Sequence, residues 1–287
     1  MTIADVILNA TKRLEAARIQ SARFDVELLL CRAMGRDRAW LLAHRTDALN
    51  EDLRTTLEQY VNRRARREPL QYIIGIQEFW GLKFTVTRDM LIPRPETELI
   101  IDTVLRNVAD KRKPLRIVDL CTGSGCIAVS LASELPAAQV IATDTSLKAL
   151  AVARENAGNH GMVSRIHFIE GDLFTPLEHL DIHGSVDIIV SNPPYVPLGD
   201  FDTLQPEVRD YEPTCALLAG TEGTEVHGRI IGAAPRFLNR SGTLIMEMGL
   251  GQAATLARMI KDNGQYGTPD LLKDLAGIDR VIMAHRL

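Results

Sequence analysis

The chain has 287 residues, 46% hydrophobic and 24% charged, and a formal net charge of −4. It can bury a sizeable core, no apolar stretch is long enough to cross a membrane, and its four cysteines form no CxxC pair that would suggest a zinc or disulfide framework. The acidic balance argues mildly against long-range, non-specific attraction to nucleic acid, and Asp5 and Lys12 break up the amino terminus, so a cytoplasmic protein without a signal segment is expected.

The first 69 residues read as a helical bundle. Ile3, Val6, Ile7, Ala10 and Leu14 recur at helical spacing. Phe24 to Met34 is a second periodic stretch, with Gly35 as its stop. Asp37 is placed to cap 38–43, and Asn50 to cap a helix carrying Leu53, Leu57, Tyr60 and Val61, which Pro69 ends. The run Arg63-Arg64-Ala65-Arg66-Arg67 is a candidate basic patch, but cations also favour the negative end of a helix. Residues 70–95 change character: Tyr72 to Gly75 and Phe79 to Val86 read as a short β-hairpin linker. Ile92-Pro93-Arg94-Pro95-Glu96-Thr97-Glu98 then leads into a helix.

Residues 96–287 alternate strands and helices. Apolar runs at 116–120, 139–143, 166–170, 186–191, 242–248 and 280–285 are separated by helical patterns at 125–134, 146–159, 224–238 and 251–263. Such alternation predicts an α/β, doubly wound, mostly parallel sheet.

The first strand-to-helix joint is Asp119-Leu120-Cys121-Thr122-Gly123-Ser124-Gly125. Its glycines let backbone approach a ligand, and the helix amides beyond them face it. Gly123-x-Gly125-x-x-Ala128 formally matches a dinucleotide fingerprint, so NAD enters consideration. Asp144 closes the next strand, where an acid can bind ribose hydroxyls. Asp172 closes the one after and could accept from an adenine amino group. A pyrophosphate needs positive charge, whereas Asp119, Asp144 and Asp172 ring this pocket and its loop carries no lysine or arginine. A phosphate-free cofactor with a cationic sulfur fits better, which points to S-adenosylmethionine. His179 and His183 share helical spacing but lack a nearby third metal ligand.

Asn192-Pro193-Pro194-Tyr195 follows the strand at 186–191. The prolines stiffen the segment and remove amide hydrogens. A planar nitrogen with two hydrogens could donate to the Asn192 amide oxygen and the Pro193 carbonyl, with Tyr195 on its face. That cradle suits a side-chain amide or the exocyclic amine of a base.

With these motifs the chain resembles the HemK/PrmC family, which methylates a glutamine amide in class I peptide-chain release factors. The resemblance runs nearly full length. It includes Glu68 to Tyr72, Gly75 with Glu78-Phe79-Trp80, Ile92 to Glu98, Asp119 to Ala128, Asn192 to Tyr195 and Tyr211-Glu212-Pro213. It implies a Rossmann-like class I S-adenosylmethionine-dependent methyltransferase with a small N-terminal helical bundle that helps dock the release factor. By the same resemblance Cys121, Thr122, Gly123, Ser124 and Gly125 contact the methionine part of the cofactor, Asp144 its ribose, and Asp172 and Leu173 lie by its adenine. Asn192, Pro193, Pro194 and Tyr195 hold the glutamine, with Asn192 also beside the cofactor. No metal, membrane or stable nucleic-acid partner is implied. Two departures stand out: glycine is usual where Cys121 stands, and tryptophan is frequent where Leu173 stands. The alternative is an adenine- or guanine-amino methyltransferase acting on RNA or DNA through the same cradle. A binding module that has lost turnover is the non-enzyme alternative.

Overall fold

Local capping chemistry starts the first helices of the computed structural model, which describes residues 1–287. Thr2 accepts from the Asp5 amide while Asp5 accepts from the Thr2 amide, and this reciprocal cap opens α1 (Ile3–Ala16). α2 (Ala22–Met34) stops at Gly35, which takes the left-handed φ of 63°. α3 (Arg38–Ala43) and α4 (Glu51–Ala65) begin where the Asp37 and Asn50 side chains accept from the amides of Trp40 and Leu53.

α4 ends at Ala65, short of the expected stop at Pro69. Arg67 turns left-handed just beyond it, and three arginines of the run reach acidic partners. Arg63 pairs with Glu68, buried Arg64 with Asp25 and Glu207, and Arg67 with Glu207. Arg63 and Arg64 do sit in the last turn of α4, but what engages Arg63, Arg64 and Arg67 is a set of internal ion pairs. Residues 70–74, expected to begin a hairpin, instead form a helical turn, α5 (Leu70–Ile74), which ends at left-handed Gly75. Tyr72 and Ile73 are both buried, which an alternating strand with one solvated face would not permit. The hairpin proper is β1 (Ile76–Phe79) and β2 (Leu82–Thr85). Trp80 and Gly81 both have positive φ in its two-residue turn, the geometry that matches strand twist.

The chain divides into two compact units, residues 1–76 with 205–211, and residues 77–204 with 212–287. In the first, α1, α2, α4 and α5 bury one apolar cluster that includes Leu14, Val26, Leu30, Leu57, Val61 and Ile73. The second contains α6 (Glu98–Asn107), β3 (Arg116–Leu120), α7 (Cys126–Glu134), β4 (Gln139–Asp144), α8 (Leu147–Asn159), β5 (Ile166–Glu170) and β6 (Val186–Ser191). It continues with β7 (Val196–Pro197), β8 (Leu218–Gly220), α9 (Glu225–Ala233), β9 (Leu238–Glu247), α10 (Ala253–Asn263), β10 (Asp270–Lys273) and β11 (Asp279–His285).

Seven of these strands form one sheet in the order β10-β11-β9-β6-β3-β4-β5. β9, β6, β3, β4 and β5 run parallel; β11 is antiparallel to β9, and β10 to β11. Helices cover both faces, so successive residues of one strand enter different cores: Ile117 packs in one cluster and Val118 in the other. The six expected strands all form. β10 was not anticipated because Asp-Leu-Leu-Lys is a mostly exposed edge strand without apolar alternation. No helix is long and apolar enough to cross a membrane.

Candidate active site

The strand order reverses between β3 and β6, and an open α/β sheet leaves a crevice outside the carboxyl ends at such a point. Leu120 and Ser191 are register partners there, and the Ser191 hydroxyl donates to the Leu120 carbonyl at 2.8 Å. Cys121 and Asn192 therefore leave the sheet side by side. The glycine loop turns tightly, with positive φ at Cys121 (59°), Gly123 (55°) and Gly125 (78°). A Cβ on Gly123 would stand in open space, whereas one on Gly125 would meet the Ala153 Cβ at 3.1 Å. The second glycine thus serves the approach of α7 to α8. Asp144 anchors the loop by accepting from the Gly123 and Ser146 amides, each at 2.9 Å, and burial raises its carboxyl pKa.

A cavity of about 250 Å³ opens at this point. Cys121, Thr122, Gly123 and Ser124 line one side, and Asp144, Asp172, Leu173, Asn192 and Pro194 line others. Gly125, Pro193 and Tyr195 do not line it. Arg229 of α9 is the one cationic side chain on its wall, and it is spent on Asp172 at 2.5 Å. Asp89 and Asp144 leave the wall acidic, which does not suit a pyrophosphate but fits a cationic, phosphate-free group. Leu173 is buried with φ of 50°, and its carbonyl accepts from the Thr143 hydroxyl.

Asn192 is held by residues that sequence reasoning missed. Its Nδ2 donates to Thr97 Oγ1 at 3.1 Å, and Thr97 Oγ1 donates to Glu247 Oε2 at 2.6 Å. The Tyr195 hydroxyl donates to Glu247 Oε1 at 3.2 Å, so the tyrosine side chain is committed to this carboxyl. Asn192 Oδ1 is buried and has no hydrogen-bond partner. A buried amide oxygen left unpaired costs about 1–3 kcal/mol, which marks it as an acceptor awaiting a donor. Burial pushes the Glu247 carboxyl up to about 7, against the hydrogen bond from Thr97 and the charge of Arg280. Burial also pushes Asp119 up to about 7, with the Thr122 hydroxyl bonded to it at 2.6 Å. An acid inside the otherwise uncharged run at 242–248 was the available signal for Glu247. Thr97 lies in the Ile92 to Glu98 motif, which marked the segment but not this role, and Arg229 had no signal. Arg94 pairs with buried Glu212 at 2.5 Å, joining two of the motif segments noted in the sequence. His183 lies 3.4 Å from Glu178 and stacks on Phe237, and no cluster of three or more His, Cys, Asp or Glu side chains is placed to hold a metal ion.

A parallel core sheet with an antiparallel hairpin at one edge, and a glycine loop facing an acidic crevice at the reversal point, is the build of the class I methyltransferases. That class in general draws its methyl group from S-adenosylmethionine. A methyltransferase structure from Pyrococcus furiosus shares the fold at 16% identity, with a TM-score of 0.54 over 78% of this chain and 98% of that one. Residues 5–75 match the PrmC N-terminal domain, and residues 96–203 the methyltransferase small domain. The release factor glutamine methyltransferase of Geobacter sulfurreducens is 44% identical over 92% of this chain and 89% of its own. That of Nitratidesulfovibrio vulgaris is 40% identical over 99% and 95%. The chain belongs to the release factor glutamine methyltransferase family.

Proposed function

We propose that this protein methylates the side-chain amide nitrogen of the glutamine in the Gly-Gly-Gln loop of class I peptide-chain release factors, converting S-adenosylmethionine to S-adenosylhomocysteine. The observation that carries the reading is the unpartnered Asn192 Oδ1, beside the glycine loop at the carboxyl end of β6. Residues 121–124 of the glycine loop, Asp144, Asp172 and Leu173 hold the cofactor, and the helical unit docks the large protein partner. Asp144 already accepts two backbone amides, but a carboxylate has about four acceptor sites, so ribose hydroxyls can add to these.

When bound, the cofactor supplies an electrophilic methyl group on a positively charged sulfur. The chain's own task is to make a poor nucleophile adequate. An amide nitrogen shares its lone pair with its carbonyl. Asn192 Oδ1 and the Pro193 carbonyl accept its two hydrogens, return electron density to nitrogen and fix its direction, while the Tyr195 ring flanks it. As nitrogen gains positive charge, both fixed dipoles face it. Orientation of this kind can recover roughly 7–11 kcal/mol of a barrier. The displaced proton leaves to solvent afterwards, so no strong base is required.

Methyl-labelled S-adenosylmethionine offered with a class I release factor, beside the same factor with its loop glutamine changed to alanine, tests the reading. Label on the unmutated factor alone is expected. Label on RNA or DNA supplied in parallel, with none on the factor, would transfer the function to nucleic-acid amino methylation. Asn192→Ala should remove most turnover and leave cofactor affinity largely intact, as isothermal titration would show.

A further inference from the structure

Asparagine is a two-faced side chain. Rotated by half a turn it presents NH₂ instead of C=O at nearly unchanged shape. The proposed reaction needs the oxygen toward the substrate, and a substrate amide cannot enforce this alone, because its own carbonyl could bind the flipped NH₂. The register places the enforcing group next door: Ser191 pairs with Met246, so Asn192 and Glu247 leave β6 and β9 together. Thr97, in the turn before α6, lies between them and is 2% exposed, as Glu247 is 1%. A threonine hydroxyl has one hydrogen. The ionised Glu247 accepts it on Oε2 at 2.6 Å, and only lone pairs then face Asn192. The Asn192 NH₂ satisfies those lone pairs at 3.1 Å, whereas its oxygen would meet another oxygen with no hydrogen between them.

We infer that Thr97 is a positioning residue, which together with Glu247 locks the Asn192 amide in the orientation that presents its oxygen to the substrate amide. The inference rests on the function proposed above, for which Asn192 Oδ1 is the acceptor. The Thr97 hydroxyl never reaches the substrate in this scheme. Its whole effect passes through Asn192, and Glu247 acts one bond further back by claiming the hydroxyl hydrogen.

The test is a double-mutant cycle on the full-length enzyme with release factor as substrate. Thr97→Ser keeps the hydroxyl and should hold kcat within about threefold, while isosteric Thr97→Val should lower it about 10- to 100-fold with cofactor affinity unchanged. In an Asn192→Ala background, Thr97→Val should change the residual rate less than about twofold. Equal losses in both backgrounds, or serine as poor as valine, would overturn the assignment in favour of a packing role. A second measurement needs no turnover. With ¹⁵N-asparagine labelling, the side-chain signal that vanishes in Asn192→Ala should exchange with solvent about tenfold or more slowly in wild type than in Thr97→Val. Equal exchange in the two proteins would sink the lock even if methyl transfer proceeds. A slow signal in a protein that leaves the release factor unlabelled would overturn the substrate and keep the lock.

Discussion

Cys121 carries a side chain where the backbone is left-handed, a conformation that costs an ordinary residue on the order of 1 kcal/mol. The residue also lines the cavity. Cys121→Gly should therefore bind S-adenosylmethionine at least as tightly as wild type; a weaker titration would mean that the thiol contributes to the site. Two carboxyls at this scale make stability depend on pH. Burial raises Asp119 and Glu247 to about 7, while in the unfolded chain both ionise near pH 4. Between those values the native state holds protons that the unfolded state has released, so stability falls as pH rises from about 4 through about 7 and then levels off. Urea midpoints should drop from pH 5 to pH 8, and Glu247→Gln should flatten the drop. An unchanged slope in the variant would show that Glu247 ionises normally. Asp119, Asp144, Asp172 and Asn192 were legible because each lies within two residues of the carboxyl end of a strand, whereas Thr97 stood out only as part of the Ile92 to Glu98 motif, since its importance lies in two partners 95 and 150 residues away.

At the scale of elements, the two loop glycines separate into different duties. Gly125→Ala forces a side chain into a left-handed residue and against Ala153 at 3.1 Å, so α7 must move from α8. A loss of about 1–3 kcal/mol is expected in urea denaturation. Gly123→Ala meets no atom within 4 Å but places its methyl group at the cavity, so it should weaken cofactor binding more than folding. A larger stability loss at Gly123 than at Gly125 would reverse these roles. The sheet strands were readable because buried parallel strands are continuous apolar runs. Tyr72 to Ile74 misled for the same reason: a short apolar run has no period of its own, and Gly75 in the left-handed conformation decided for a helical turn.

For the whole molecule, the sequence suggests contiguous domains, while the structure returns residues 205–211 to the helical unit. Glu207 accepts from Arg64 and Arg67, and the Tyr211 hydroxyl donates to the Arg66 carbonyl at 2.6 Å. No local signal could reveal a bond that closes 143 residues of sequence. Glu207→Ala leaves buried Arg64 with Asp25 and the Glu68 carbonyl, and removes one partner of a desolvated charge. The helical unit should lose about 1–3 kcal/mol, read by amide exchange in α2 and α4. Unchanged exchange there would show that the Glu207 pairs contribute nothing.

The divided make-up of that helical unit limits how relatives can be recombined. A chimera that takes residues 1–76 from another family member would set the recipient's Glu207 and Tyr211 among arginines they did not evolve with. The exchangeable module is two pieces of chain, 1–76 and 205–211, and a splice that moves both should outlast one that moves the first alone.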